Sequence, residues 1–281
     1  MGKTTVAAAI GLVAARRGQR TILAEVAARD DVSRALGGDG TREQELAPGL
    51  HHISIDPQQA MEAYLVDQLP SRALAEVLTS SRTFAYLAAA TPGMRELLTV
   101  GQVWDLAQAE RRTGGGRAYD LVILDAPATG HGVAVLTAPR TFAAVARVGR
   151  IARQSRTIDE MLSDPARTGV VAVARPEEMP VNETLALEDA LRAEAGMTVD
   201  LVVADGMAPA RFSTAEAETL AAAADGPEVR AALRAHGHAR AQRTQLRRLR
   251  RHVRAPVTTL PHLFEEDDRL AALARELEGV L

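Results

Sequence analysis

Short runs of β-branched and apolar residues alternate along this chain with longer segments whose apolar positions recur at helical spacing. Val6–Arg17 is rich in alanine and valine and predicts a helix. Arg20–Val26, reading R-T-I-L-A-E-V, predicts a short buried strand, and Leu50–Ile55 predicts a second one after a Pro-Gly turn. Residues 57–112 read as several helices, broken at Pro70 and at Thr91-Pro92-Gly93. Gly114-Gly115-Gly116 marks a loop. Tyr119–Leu124 is a continuous apolar strand, followed by an expected loop over Asp125–Gly132. Gly169–Ala174, Asp200–Ala204 and Pro256–Leu260 add three more strands, and Glu265–Leu281 a last helix. Strands separated by helices predict an α/β fold with a mostly parallel, doubly wound sheet covered on both faces. No repeat and no low-complexity linker divides the chain. One domain over 1–281 is therefore expected, with a helical insertion at about 57–112.

Composition sharpens this in three ways. Aromatic residues make up only 3% of the 281 residues, so the core must rest on Ala, Val, Leu and Ile. The net charge of −3 does not favour nucleic acid or an anionic membrane as partner. There is no cysteine, which excludes disulfides, thiolate metal sites and thiol catalysis. No apolar run reaches the ~18 residues of a spanning helix, and Val6–Ala15 lacks the flanks of a signal peptide, so a cytoplasmic location is expected. Arginine supplies every basic residue but one, and the single lysine is Lys3. Arginines also crowd residues 240–254 around Leu246, Leu249 and Val253, an amphipathic helix pattern. That segment reads either as a solvated face or as a contact for an acidic partner, nucleic acid or membrane.

Lys3 stands in Gly2-Lys3-Thr4-Thr5, directly before the first helix. This matches the end of the phosphate-loop pattern G-x-x-x-x-G-K-[ST], in which backbone N–H groups and a helix N-terminus converge on phosphate. In that role Lys3 would neutralise the β- and γ-phosphates, Thr4 would ligate Mg²⁺, and Thr5 would lie near the α-phosphate. Alone, the tetrapeptide is equally an N-cap on a terminal helix. Asp125 adds weight: it ends a buried strand, where open α/β sheets place ligands. The following A-P-A-T-G-H-G holds Gly130 and His131, read as a switch element or as a loop-capping histidine.

Several ordered segments together resemble the arsenite-pump and tail-anchored-protein-targeting ATPases, which have a deviant Walker A phosphate loop. Gly2-Lys3-Thr4-Thr5 matches the end of their G-K-G-G-V-G-K-T-T, and Asp125–Gly132 matches their D-T-A-P-T-G-H-T. Thr91–Leu97, Pro176-Glu177 with Asn182–Thr184, and Leu260-Pro261-His262-Leu263 resemble further family segments. The resemblance implies a P-loop ATPase using ATP and Mg²⁺, with Lys3 and Asp125 in catalysis and Thr4 and Asp125 on the metal. It implies that Gly2, Lys3, Thr4, Thr5, Asp205 and Pro261 line the nucleotide, with Gly130 and His131 as the switch. It further implies a homodimer, or a heterodimer with a paralogous ATPase, acting on a client protein or membrane partner.

Four departures qualify it. The first strand and the front of the phosphate loop are missing, which suggests a start site assigned too late. Ala27 falls where the family has the Asp that positions the attacking water. Asp205 replaces an adenine-reading Asn and leaves ATP against GTP open. The stretch Ala138–Pro165 is short and arginine-bearing, and offers little cover for a membrane segment. Met61, Leu65, Leu69, Leu97, Leu98, Val103 and Trp104 read either as a client groove or as helix-packing core. A non-hydrolysing regulatory subunit of a heterodimer is the alternative function.

Overall fold

The computed structural model describes residues 2–26, 29–61, 92–111, 117–127, 129–146, 148–223, 226–263 and 269–281. They form two compact units: Thr4–Thr168 with Ala193–Met197, and Met1–Lys3 with Gly169–Arg192 and Thr198–Leu281. Ala27, Leu65 and Leu69 lie outside the described residues.

In the first unit, β1 (Thr21–Val26) runs parallel to β3 (Leu50–Ile55) on one side and to β4 (Leu121–Asp125) on the other. All six β1 residues are buried, as a central strand covered on both faces requires. β2 (Gln44–Ala47) adds an antiparallel edge to β3. Its polar, half-exposed Q-E-L-A carries no strand signal, and pairing with β3 makes it a strand. The long helix α1 (Lys3–Arg16) buries Val6, Ala7, Ala8, Ala9, Val13 and Ala14. Its small residues permit close approach: a Cβ on Gly11 would stand 2.9 Å from Leu50 Cδ1. The short α2 (Asp31–Ala35) follows β1. α3 (Met94–Leu106) starts after Gly93, whose φ of 79° completes the expected Pro-Gly break. Leu97, Leu98, Val103 and Trp104 are all buried, which fits core packing for these four. Val103 and Leu106 pack with Ile22, Ala24, Ile55 and Tyr119. α4 (Thr129–Val145) and α5 (Arg150–Ser163) pack on one another.

The structure corrects one sequence expectation here. The segment after Asp125 is not a loop to Gly132, because α4 already starts at Thr129. Burial of Val133, Val135 and Ala138 on its inner face outweighs the low helix propensity of Gly130 and Gly132.

At the amino ends of β1 and β4 a charged cluster ties the sheet together. Arg111 Nη1 and Nη2 donate to Glu43 at 2.9 and 2.6 Å, and the Tyr119 hydroxyl donates to Glu43 Oε1 at 2.6 Å. The Arg20 guanidinium lies 4.0 Å from the Tyr119 ring centroid. The Arg111 side chain is only 1% exposed, so its charge depends on Glu43. The Arg111 guanidinium outweighs the cost of burial and, with the Tyr119 hydroxyl, holds the Glu43 carboxyl down at about 2. Burial first, then the bond to Glu43, pushes the Tyr119 hydroxyl up to about 12. A carboxyl lowered on folding stabilises above its unfolded value, about 4.3, and that contribution fades as pH falls towards 2. Replacing Glu43→Gln should cost about 2 kcal/mol at neutral pH and flatten the acid limb of stability. Urea midpoints measured between neutral pH and pH 3 check this. An acid limb identical to that of the parent protein would refute it.

In the second unit, β5 (Val171–Ala174), β6 (Leu201–Met207) and β7 (Val257–Pro261) form a parallel sheet with β6 in the middle. β6 runs three residues past the expected Ala204, because its carboxyl end stays paired with β7 through Met207 and Pro261. α6 (Glu178–Ala190) follows β5, and α7 (Thr214–Ala223) and α8 (Pro227–His252) follow β6. α8 buries Ala239, Gln242, Leu246 and Leu249 along one stripe, confirming the amphipathic pattern. α9 (Arg269–Glu278) closes the chain with Leu273 and Leu277 buried. Across both units the architecture is α/β with mostly parallel strands, as the alternation predicts.

Candidate functional site

Thr4 enters α1 on its first turn, with Lys3 opening the helix and Thr5 following, all three half-buried. The Thr4 hydroxyl donates to Asp125 Oδ2 at 2.6 Å, across 121 residues of sequence. Asp125 is 3% exposed and terminates β4. A short bond from hydroxyl to ionised carboxylate is charge-assisted and directional. The structure therefore brings together the threonine and the acid that the sequence nominates separately.

Two oxygens converging at a strand end, one hydroxyl and one carboxylate, are the hard donors that Mg²⁺ takes when phosphates and water complete its shell. The donor set fits that ion. Thr4 and Asp125 would hold it, and it would supply charge neutralisation to the phosphates. Among the described residues no group of three His, Asp or Glu side chains forms a denser metal cluster.

A third group at this point is one that the sequence does not single out. Arg29 Nη2 lies 3.6 Å from Asp125 Oδ2, and its Nε donates to the Val26 carbonyl at 3.1 Å. Arg29 thus sets a cation on the acid from the segment joining β1 to α2. Its neighbourhood, A-A-R-D-D, carries no sequence signal for this role.

Glu25 stands two residues before Ala27, near the family's first-switch position but not aligned with it. It pairs in register with Asp125, one strand over, and is 0% exposed. Its Oε2 accepts from His52 Nε2 at 2.8 Å and from the Val32 N–H at 3.0 Å. Burial is the largest influence on this carboxyl and raises it. The His52 bond, the Val32 N–H and the charges of His52 and Arg29 together outweigh burial and leave it below the usual carboxylate range. The carboxylate anchors the first turn of α2, which fixes the far end of the segment carrying Arg29. An acidic residue inside a six-residue buried strand was the available clue.

Gly130 and His131 occupy the first turn of α4 and are exposed, with no partner for the His131 ring among the described residues. Their position, five and six residues after Asp125, follows from the sequence.

In the second unit, Gly2 approaches Asp205 so closely that a Cβ on Gly2 would stand 2.0 Å from Asp205 Oδ2. Asp205 is 6% exposed near the carboxyl end of β6. Pro261 ends β7 opposite Met207, and the His262 N–H donates to the Met207 carbonyl at 2.9 Å. Asp205 and Pro261 therefore share the carboxyl end of one sheet. Gln242 of α8 holds that end in place. Its Oε1 accepts from the Ala208 N–H at 2.7 Å and its Nε2 donates to the Gly206 carbonyl at 3.2 Å. Gly206 needs this support, because its φ of 78° breaks the extended strand. An amide on the buried stripe of α8 was the sequence sign of such a clamp.

Parallel strands, acids at their carboxyl ends and a helix-start threonine bonded to one of them define the class: an α/β ATPase-type nucleotide-binding protein. Comparison with known proteins gives the family. The profile for anion-transporting ATPases matches residues 1–154 and 143–224, and the chain belongs to that family. It is 26% identical over 234 residues to the ATPase BagA of Mycobacterium tuberculosis, an alignment covering 80% of this chain and 66% of that protein. It is 26% identical over 243 residues to the arsenical pump-driving ATPase of Acidiphilium multivorum, covering 79% of this chain and 40% of that protein. A protein of the same description from Escherichia coli matches at 26% over 243 residues, again 40% of its length. The chain thus spans just under two thirds of the mycobacterial relative and two fifths of the arsenical pump-driving ones. No helix among the described residues is long and apolar enough to cross a membrane.

Proposed function

We infer that this chain binds ATP with Mg²⁺ and hydrolyses it, working as a dimeric switch on a client protein or membrane partner. The observation that carries this reading is the 2.6 Å bond between Thr4 and Asp125, which joins a helix-start threonine to a strand-end acid. Lys3, beside Thr4, neutralises the β- and γ-phosphates, and Thr5 sits by the α-phosphate. Thr4 and Asp125 hold Mg²⁺, which supplies charge neutralisation. Gly2 lets backbone come close to the ligand. Gly130 and His131, on the first turn of α4, respond to the state of the nucleotide. Asp205 and Pro261 receive the base. In phosphoryl transfer such positioning and electrostatics supply nearly all of the catalysis.

A second reading rests on a specific substitution. Ala27, in the residues outside the description, stands where the resembling family positions its attacking water with Asp. With that group missing, the chain would act as a nucleotide-binding, non-hydrolysing subunit beside an active paralogue. Phosphate release by the purified protein, alone and with a co-purifying paralogue, decides between the two. Mg²⁺-dependent turnover alone supports the switch, and turnover only with the partner supports the regulatory subunit. No nucleotide binding in either preparation would refute both.

The base site makes its own prediction. A carboxylate accepts from a base N–H but cannot donate to an adenine ring nitrogen. Asp205→Asn should therefore raise the affinity for ATP relative to GTP by about tenfold, one good hydrogen bond's worth. Competition between the two nucleotides on both proteins checks this. An unchanged ratio would remove Asp205 from the base site.

A further inference from the structure

Arginines crowd residues 240–254, and α8 distributes them unevenly. Just beyond its carboxyl end, α6 meets one of them, Arg254. Arg254 Nη1 lies 3.4 Å from Asp189 Oδ1, and the Arg254 N–H donates to both oxygens of Glu188, at 3.0 and 3.2 Å. Earlier on the helix, Arg240, Arg243 and Arg247 recur at i, i+3 and i+7 and so share one stripe about 10 Å long. That stripe lines a cleft of about 610 Å³, together with Phe212, Ser213 and His236. His236 Nδ1 lies 3.1 Å from the Phe212 carbonyl, which ties the helix to the loop across the cleft. Arg243 is half-buried, and Arg247 Nη2 donates to Thr244 Oγ1 at 3.1 Å. Among the described residues no carboxylate lies within ion-pair distance of any of these three arginines.

Among the described residues, then, no carboxylate neutralises the permanent positive charge that lines the hollow. The start of α7 is not its receptor, because a capping box already serves that helix. The Ser213 N–H donates to Glu216 Oε2 at 2.8 Å, and the Glu216 N–H donates to Ser213 Oγ at 3.2 Å. What remains is the guanidinium groups, whose forked N–H donors match pairs of phosphate oxygens. The volume is that of a small-ligand pocket.

The geometry points to a binding site for a small phosphate-bearing anion with more than one negative charge, held by Arg240, Arg243 and Arg247 in the cleft between α8 and the loop before α7. The phosphate groups belong either to a soluble metabolite or to a lipid headgroup. This site is separate in its residues from those assigned to ATP.

Calorimetric titration with inorganic tripolyphosphate tests it in the Lys3→Ala background, which removes the lysine assigned to ATP. The expected result is residual binding that weakens at least tenfold in Arg243→Gln/Arg247→Gln, and that weakens further at high salt. Arg250→Gln/Arg251→Gln, on the same helix but outside the cleft lining, should leave it unchanged. Both double variants replace surface or half-buried side chains, and matching thermal midpoints confirm that they fold. Co-sedimentation with phosphatidylcholine vesicles containing phosphatidylinositol phosphate forms the second arm. Capture that needs Arg243 and Arg247, without tripolyphosphate binding, identifies the headgroup as the source and supports the site. Binding that is indifferent to Arg243 and Arg247, or equally weakened by the Arg250/Arg251 pair, overturns it. So does the lack of binding to both probes, or Arg243- and Arg247-dependent binding of duplex DNA alone.

Discussion

Asp125→Asn should lower Mg²⁺-dependent ATP turnover by about two to three orders of magnitude while leaving the protein folded, if the acid holds the metal as inferred. Asparagine keeps the shape of the side chain and an oxygen for the Thr4 hydroxyl, now 2.6 Å away. It removes the negative charge that draws in the divalent ion and that Arg29 faces at 3.6 Å. The loss should fall mainly on kcat and on the apparent affinity for Mg²⁺. Steady-state rates across a Mg²⁺ series, with circular dichroism as a folding control, measure it. A variant that turns over at the parent rate would take Asp125 out of the metal site and leave the Thr4 bond as a structural cap.

The largest stability effect is expected inside the sheet. Glu25→Ala should cost about 3–5 kcal/mol, because it strips a fully buried His52 and the Val32 N–H of their shared acceptor. Glu25 Oε1 and His52 Nδ1 already lack a partner among the described residues, so nothing nearby replaces the lost contact. Glu25→Gln keeps an acceptor of similar shape and should cost clearly less. The pH dependence has a definite sign. The carboxyl is lower in the folded state, so its contribution is present above the unfolded value near 4.3 and is lost as pH falls through the folded one. Urea midpoints of the two variants at neutral pH give the comparison. Equal costs would mean that charge, and not the acceptor, is what His52 requires.

Much of the fold was legible because its strands are apolar runs bounded by Gly, Pro and charged residues. β1, β3, β4, β5 and β7 fall within one or two residues of their expected ends. β2 was not legible, since a polar tetrapeptide becomes a strand only through a neighbour that the sequence does not name. The start of α4 was missed for a related reason. T-G-H-G has weak helix propensity, and burial several residues further on decides its conformation. At the candidate site the split is similar. Asp125 showed itself by ending an apolar strand, expected to be buried but half-buried over Leu121–Leu124 in the structure, and Thr4 by its place before a helix. Their hydrogen bond, the Arg29 contact and the approach of Gly2 to Asp205 are long-range pairings between residues far apart in sequence. Gln242 and Glu25 lie between these cases. Each is a polar residue on a buried stripe, so its need for a partner could be read, but not which partner.

Trp104 is the chain's only tryptophan, is 8% exposed, and sits on α3. α3 packs on α4, whose first turn holds Gly130 and His131. The protein therefore carries a single indole fluorophore, next to the helix that follows the candidate catalytic acid. With 3% aromatic residues, little else contributes to its emission. A nucleotide-driven shift of α4 would change the wavelength or quenching of a single indole, and stopped-flow mixing could time that motion in the unlabelled protein.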